Sequence, residues 1–368
     1  MRRSRVAIWL VGAAMLAAAW SDAAAPSARA GSRVSNLEPS ADVLTGTVLF
    51  GRYEGPVEHY RTTTPEGEEL AELFQAEGCA PCVVLSPDGT RVTTPEFTDD
   101  RLTTAVVSVD GTHRRVLDIP GVAGAWSPDS RRLALGVWVQ DAPSKTGMYT
   151  ARAADGSRLR QVTTSGHDEF HEPFAWSPDG SRIMFFVERG SIGSVTHAGD
   201  LFVVKTDGSG MRRLNPAGVT VGRVTAAGSP ASWSPDGRSV AFAAFDRRDG
   251  GARSAVFVAD ASEGRARRIS EWGSMIAGAS WSPSEDLIAF SELGGPAISL
   301  ITPGGDVHRL TVQGKEICCP VWAPDGSHLL VRRTSGVEGT LVVVDLEGNI
   351  VSNVTRQPGS YFGYSWEG

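Results

Sequence analysis

Six consecutive residues, His167-Asp168-Glu169-Phe170-His171-Glu172, gather two imidazoles and three carboxylates. Imidazole and carboxylate are ordinary ligands of divalent cations, and they also serve as general acids and bases. His167, His171 and Glu172 form the set that would hold a metal. The spacing differs from HExxH, whose histidines share one face of a helix, so a solvated polar loop is the competing reading. A divalent cation is thus the one cofactor the sequence admits, and it requires none.

Two further groups carry chemistry. Cys79 and Cys82 precede one repeat, and Cys318 and Cys319 precede another. In an exported chain such residues favour disulfides. Local pairing, including a vicinal Cys318–Cys319 bond, competes with cross-pairing that would staple a ring closure. A thiolate zinc site is disfavoured, because adjacent cysteines rarely ligate one tetrahedral ion. The other group is scattered. Glu271, Trp272, Lys315, Glu316, Tyr361 and Tyr364 fall in stretches read as loops between repeats. Trp138, Asp141, Lys145, Glu188, Arg189, His197, Arg247, Arg248 and Asp249 fall in loops within repeats. Mixed charge with aromatics suits a protein, peptide or sugar surface.

The elements that must position these residues are repeats. Trp176-Ser177-Pro178-Asp179-Gly180 has relatives beginning at Leu85, Trp126, Trp233, Trp281 and Trp322, and the chain ends near a seventh anchor, Trp366. The intervals are 41, 50, 57, 48, 41 and 44 residues, in the range of propellers and solenoids. Pro presets φ for a tight turn, Asp tolerates the next position, and Gly takes the left-handed conformation that closes a hairpin. Short β-rich runs follow each turn, for example Arg182-Ile183-Met184-Phe185 and Leu201-Phe202-Val203-Val204. A second Gly turn such as Asp207-Gly208 comes next, then a fourth strand. Each repeat therefore predicts a four-stranded antiparallel meander.

The opening Gly46-Thr47-Val48-Leu49-Phe50 matches a second strand, and Phe362 to Trp366 supplies the missing first one. Pairing the two ends closes a ring and removes free sheet edges. The expected fold is an all-β, seven-bladed propeller of four-stranded antiparallel blades over residues 46–368, closed by N- and C-terminal strand pairing. Six blades is the alternative.

Ahead of it, residues 1–30 read as a secretory signal. Arg2, Arg3 and Arg5 precede a 15-residue apolar run from Val6 to Trp20, short for a membrane span, and Ala28-Arg29-Ala30 fits a cleavage site. Retention as an anchor is the alternative. Residues 31–45 read as a flexible linker. The expected location is extracytoplasmic: periplasmic, secreted or cell-surface associated. Removing residues 1–30 takes away four Arg and one Asp, so the balance moves from 35 − 42 = −7 to 31 − 41 = −10. That charge disfavours nucleic acid and anionic lipid as partners.

The WSPDG turns, with the strand and DxDG turn after them, resemble the TolB-like (WD40-like) propeller repeat family over nearly all of residues 46–368. The resemblance implies a propeller. It leaves activity open, since such propellers serve as binding modules, as accessory domains of serine peptidases and as lyases that gather several His ligands. No GxSxG elbow accompanies the repeats, which argues against the peptidase version. Loops between strands two and three, and between blades, share one face of the ring and vary most, so function is expected there. The sequence favours a monomeric, non-catalytic binding or scaffold module for a protein or glycan. A metal-assisted polysaccharide lyase or hydrolase at the channel mouth is the alternative.

Overall fold

The repeated turn is closed by its own side chains. Ser177 Oγ donates to Asp179 Oδ1 at 2.6 Å, and the same oxygen accepts from Ser181 N at 3.0 Å. Ser177 Oγ accepts from Arg182 N at 2.9 Å, locking the start of the second strand to the end of the first. Ser86 with Asp88, Ser127 with Asp129 and Ser234 with Asp236 repeat the bond. Gly180 sits at φ 68°, the left-handed region where a side chain costs about 1 kcal/mol. Ser130 accepts that cost at φ 55°.

The structure, a computed structural model, describes residues 44–76, 83–98, 101–139, 142–166, 169–189, 198–222, 231–246, 253–314, 316–334 and 338–368. Its strands sort into antiparallel meanders, here called units. Unit 1 orders Ser360–Glu367, Thr47–Glu54, Val57–Thr63 and Glu69–Ala76. Unit 2 runs from Val84 to Leu117, unit 3 from Val122 to Gln161 and unit 4 from Glu169 to Arg213. Units 5, 6 and 7 start at Ala231, Ile276 and Glu316 and end at Arg268, Thr311 and Asn353. The short strand Thr220–Gly222 pairs with the third strand of unit 4 and the second of unit 5. It fuses those two meanders into one nine-stranded sheet, beside five separate four-stranded sheets. Counted as sheets the ring has six parts; counted as meanders, seven.

The termini zip together as the sequence predicts. Ser360–Glu367 pairs with Thr47–Glu54, placing Val48 opposite Trp366. A register shift falls between Leu49 and Gly51. A Cβ on Gly51 would lie 2.4 Å from Phe362 Cζ, so only glycine lets the closing strand seat its ring. Trp366 Nε1 donates to Thr45 O at 2.8 Å.

Seven buried apolar clusters lie between consecutive units, including one between units 7 and 1 and another between units 1 and 2. The anchor tryptophans Trp126, Trp176, Trp233, Trp281, Trp322 and Trp366 are each at most 9% exposed. Their flat bodies are what the sheets pack against. Because the meanders are antiparallel, both kinds of tight turn lie on one face of the ring. The second-to-third and unit-to-unit loops lie on the other.

Two placements correct the sequence reading. Glu169, His171 and Glu172 belong to the first strand of unit 4, Glu169–Trp176, and not to the loop before it. Tyr361, read as loop ahead of the Phe362 to Trp366 strand, belongs with Tyr364 to the closing strand. In both cases the alternation of large side chains continues further toward the loop than the tryptophan motif alone suggests. Cys318 and Cys319 are bonded to each other, the local one of the two pairings that the sequence leaves open.

Candidate binding face

His171 is turned into the protein. It is 3% exposed, its Nδ1 lies 2.7 Å from Thr163 Oγ1 of unit 3, and its ring centroid is 5.2 Å from that of Phe185. Glu169 Oε2 is 3.9 Å from His171 Nε2. This arrangement ties unit 4 to unit 3. His167 and Asp168 lie outside the described residues, and no group of three or more His, Cys, Asp or Glu among the described residues is placed to hold a metal.

The seam between units 7 and 1 contains the predicted tyrosines and one cysteine pair. Tyr364 is 3% exposed, and its hydroxyl accepts from Arg332 N at 3.1 Å. It lies 2.9 and 2.8 Å from the carbonyls of Cys318 and Cys319. Burial in this apolar seam pushes its pKa well above that of an ordinary phenol. Tyr361, also 3% exposed, donates to Gln357 O at 2.7 Å and lies under the Arg52 guanidinium. Cys319 occupies a bulge in the first strand of unit 7, with φ 67° and its amide donated to Ser291 Oγ at 2.9 Å. These residues join units. Cys79 and Cys82 lie outside the described residues.

Glu271 and Trp272 do come to the surface, on the unit 5 to unit 6 loop. The Arg253 and Arg268 guanidinium carbons lie 5.0 and 5.6 Å from the Trp272 ring centroid, and Phe257 meets the ring edge-on at 5.8 Å. Arg253 is itself anchored by the buried Asp246 at 3.1 Å. Backbone bonds between Ser254 and Gly273 at 3.2 and 3.0 Å, and the Ser254 Oγ bond to Ser274 O at 2.7 Å, pin the loop to the third strand of unit 5. The result is a fixed, half-buried indole with Glu271 exposed beside it, 3.9 Å from Arg268. Glu316 stands at the start of the first strand of unit 7 and accepts from Thr334 Oγ1 at 3.1 Å.

A charged network on the same face escapes sequence reasoning. Arg61 donates to Glu72 Oε2 from Nε at 3.1 Å and from Nη2 at 2.8 Å, and its Nη1 lies 3.2 Å from Glu54. His59 Nδ1 sits 3.2 Å from Glu72 Oε1, and Arg52 lies 3.4 Å from Glu54. The Gln75 amide, then Arg61 and His59, hold the Glu72 carboxyl down at about 2. Charges spaced two apart in Arg52-Tyr53-Glu54 and His59-Tyr60-Arg61 are the trace such a network leaves. Hairpin register is needed to bring them opposite one another.

The sequence-predicted residues thus spread over three seams and do not converge on one centre. Trp138 is exposed in the unit 3 loop and Lys145 ends a short 3-10 helix there. Asp141, His197, Arg247, Arg248, Asp249 and Lys315 lie outside the described residues.

No curated protein sequence matches the chain. Among solved structures, TolB from Acinetobacter baumannii is 16% identical over 87% of this chain and 82% of its own, with a TM-score of 0.46. An oligogalacturonate lyase in complex with manganese is 16% identical over 82% and 86%, with a TM-score of 0.56. The oligogalacturonate lyase from Vibrio parahaemolyticus is 14% identical over 83% and 82%, with a TM-score of 0.52. At such identities the likeness concerns the fold alone. The family model described as the TolB beta propeller domain matches residues 193–367. Those residues carry the TolB-type propeller repeat, on a ring whose earlier units are built from the same turn and strand pattern.

Proposed function

We propose that the chain is an exported, non-catalytic binding module that takes a protein or glycan on the face bearing the second-to-third and unit-to-unit loops. The observation that carries this reading is Trp272, held rigid between guanidiniums with Glu271 beside it. A preordered indole loses little freedom on binding and buries a large area against a peptide or a sugar ring. The metal-assisted alternative draws no support from His171, whose imidazole is committed to Thr163 and the core.

The test is to probe the purified protein against glycan and peptide arrays, then repeat with Trp272→Ala. Loss of about tenfold or more in affinity for the ligand found, the size expected of an aromatic anchor, is the predicted result. Unchanged binding by the variant would remove this face from consideration. Turnover of an oligogalacturonate panel with added manganese would overturn the non-catalytic reading.

A further inference from the structure

Three consecutive first strands bulge at the same place, three residues before the anchor tryptophan. Unit 6 has Gly278 there at φ 74°, unit 7 has Cys319 at φ 67°, and the closing strand has Gly363 at φ 53°. Pairing with the next strand slips at each of them, between Ala277 and Ser280, Cys318 and Val321, and Phe362 and Ser365. Left-handed backbone is ordinary for glycine and costly for a residue that carries a Cβ. Cys319 bears a second restriction, because Pro320 follows it and favours extended backbone ahead of itself. A cysteine thus stands where the neighbours on both sides have glycine. Its bond to Cys318 closes a small ring through the intervening peptide, and neither neighbour has such a bond.

The bulge holds two seams. Cys319 N donates to Ser291 Oγ, on the second strand of unit 6, at 2.9 Å. On the other side, the Cys318 and Cys319 carbonyls both converge on the Tyr364 hydroxyl of the closing strand, at 2.9 and 2.8 Å. Consecutive carbonyls of an extended strand point opposite ways, so the left-handed residue is what brings these two to one hydroxyl. The same hydroxyl accepts from Arg332 N at 3.1 Å, which ties the closing strand to the second strand of unit 7. Cys319 is wholly buried, and Cys318 is half-buried, so the Cys318 sulfur is the one a reagent reaches first.

We propose that the Cys318–Cys319 bond is a redox-sensitive clasp on the ring closure, opened by a dithiol reductant. A thiolate of the reductant attacks the Cys318 sulfur, and the bond of the pair breaks with Cys319 as the leaving thiolate. The second thiol of the reductant then displaces Cys318 and forms the reductant's own disulfide. Two electrons pass to the pair, and two protons follow onto the cysteine sulfurs. Cys319, no longer held, relaxes toward the extended backbone that precedes a proline. Its carbonyl leaves Tyr364, and the closing strand loosens. This device does not depend on the binding reading.

The experiment uses the full chain purified without reductant. Both cysteines should resist alkylation until a dithiol is added, read by mass spectrometry of the peptide that contains them. Reduction should lower the thermal midpoint by about 2 °C or more. It should also speed amide hydrogen exchange in Ser360–Glu367 while leaving Glu169–Trp176 unchanged. Cys319→Gly installs the residue that both neighbours use, and its midpoint should stay near the oxidised value whether or not dithiol is present. Cys318→Ser leaves an unbonded cysteine in the left-handed place, and should melt like the reduced protein in either condition. Cys79→Ser with Cys82→Ser should keep the whole redox shift. Five results would each overturn the proposal: alkylation of both cysteines without reductant, a pair that stays bonded in excess dithiol, closing-strand exchange that reduction leaves unchanged, Cys319→Gly melting below Cys318→Ser, or loss of the shift in the Cys79 and Cys82 variant.

Discussion

Asp179 shows how much one side chain does in this fold. Its carboxylate closes a turn by accepting from Ser177 Oγ, Ser181 N and Ser181 Oγ, and those bonds hold its pKa below the ordinary carboxylate range. Asp179→Ala leaves the Ser177 hydroxyl and the Ser181 amide without their acceptor. A loss of about 1–3 kcal/mol in unfolding free energy is expected, measured by urea denaturation. Asp179→Asn, which keeps one acceptor oxygen, should lose less. At this scale the sequence was legible wherever chemistry is local: Ser, Asp and Gly within four consecutive residues contain the whole turn. It was not legible for His171. Three letters of HDEFHE suggest a metal, but the fate of the imidazole is set by Thr163, eight residues earlier and just past the last strand of unit 3.

The closing strand is the element on which the ring depends. Trp366 and Phe362 fill the seams on either side of unit 1, and the strand supplies the inner edge for Thr47–Glu54. Removing residues 358–368 would expose an unpaired strand edge and strip aromatic surface from two clusters. The truncated chain should lose cooperative thermal unfolding and aggregate, as followed by calorimetry and light scattering. A truncated chain that melts as sharply as the full one would show that the ring does not need its closure. This pairing could be anticipated because the first repeat lacks a first strand and the last repeat offers one. The strand Thr220–Gly222 could not. It contains three small or β-branched residues with no turn motif, and it becomes a strand only because the edges of units 4 and 5 approach each other.

Over the whole molecule, acid should be the weak side. Nine aspartates, all in the tight turns of the repeats, have pKa values below the ordinary range through side-chain and backbone hydrogen bonds. Glu72 is lowered from 4.5 to about 2. A carboxyl whose folded pKa is depressed adds stability that is present above its unfolded pKa and lost as pH falls toward the folded one. The thermal midpoint should therefore decline from about pH 4 downward, and Glu72→Gln should flatten the part between about pH 4.5 and 2. Parallel acid limbs for the two proteins would show that the Glu54–Arg61–Glu72 network contributes nothing.

The sequence by itself determined the repeat, its turns, the strand order within each unit and the pairing of the ends. All of these follow from short-range residue chemistry and the alternation of side chains along strands. Only the tertiary structure decided which side chains meet across seams, because those contacts depend on how neighbouring sheets pack, whether the partners lie eight residues apart, as His171 and Thr163 do, or 39, as Arg91 and Ser130 do. It buried His171 and Tyr364 and set Trp272 between two arginines.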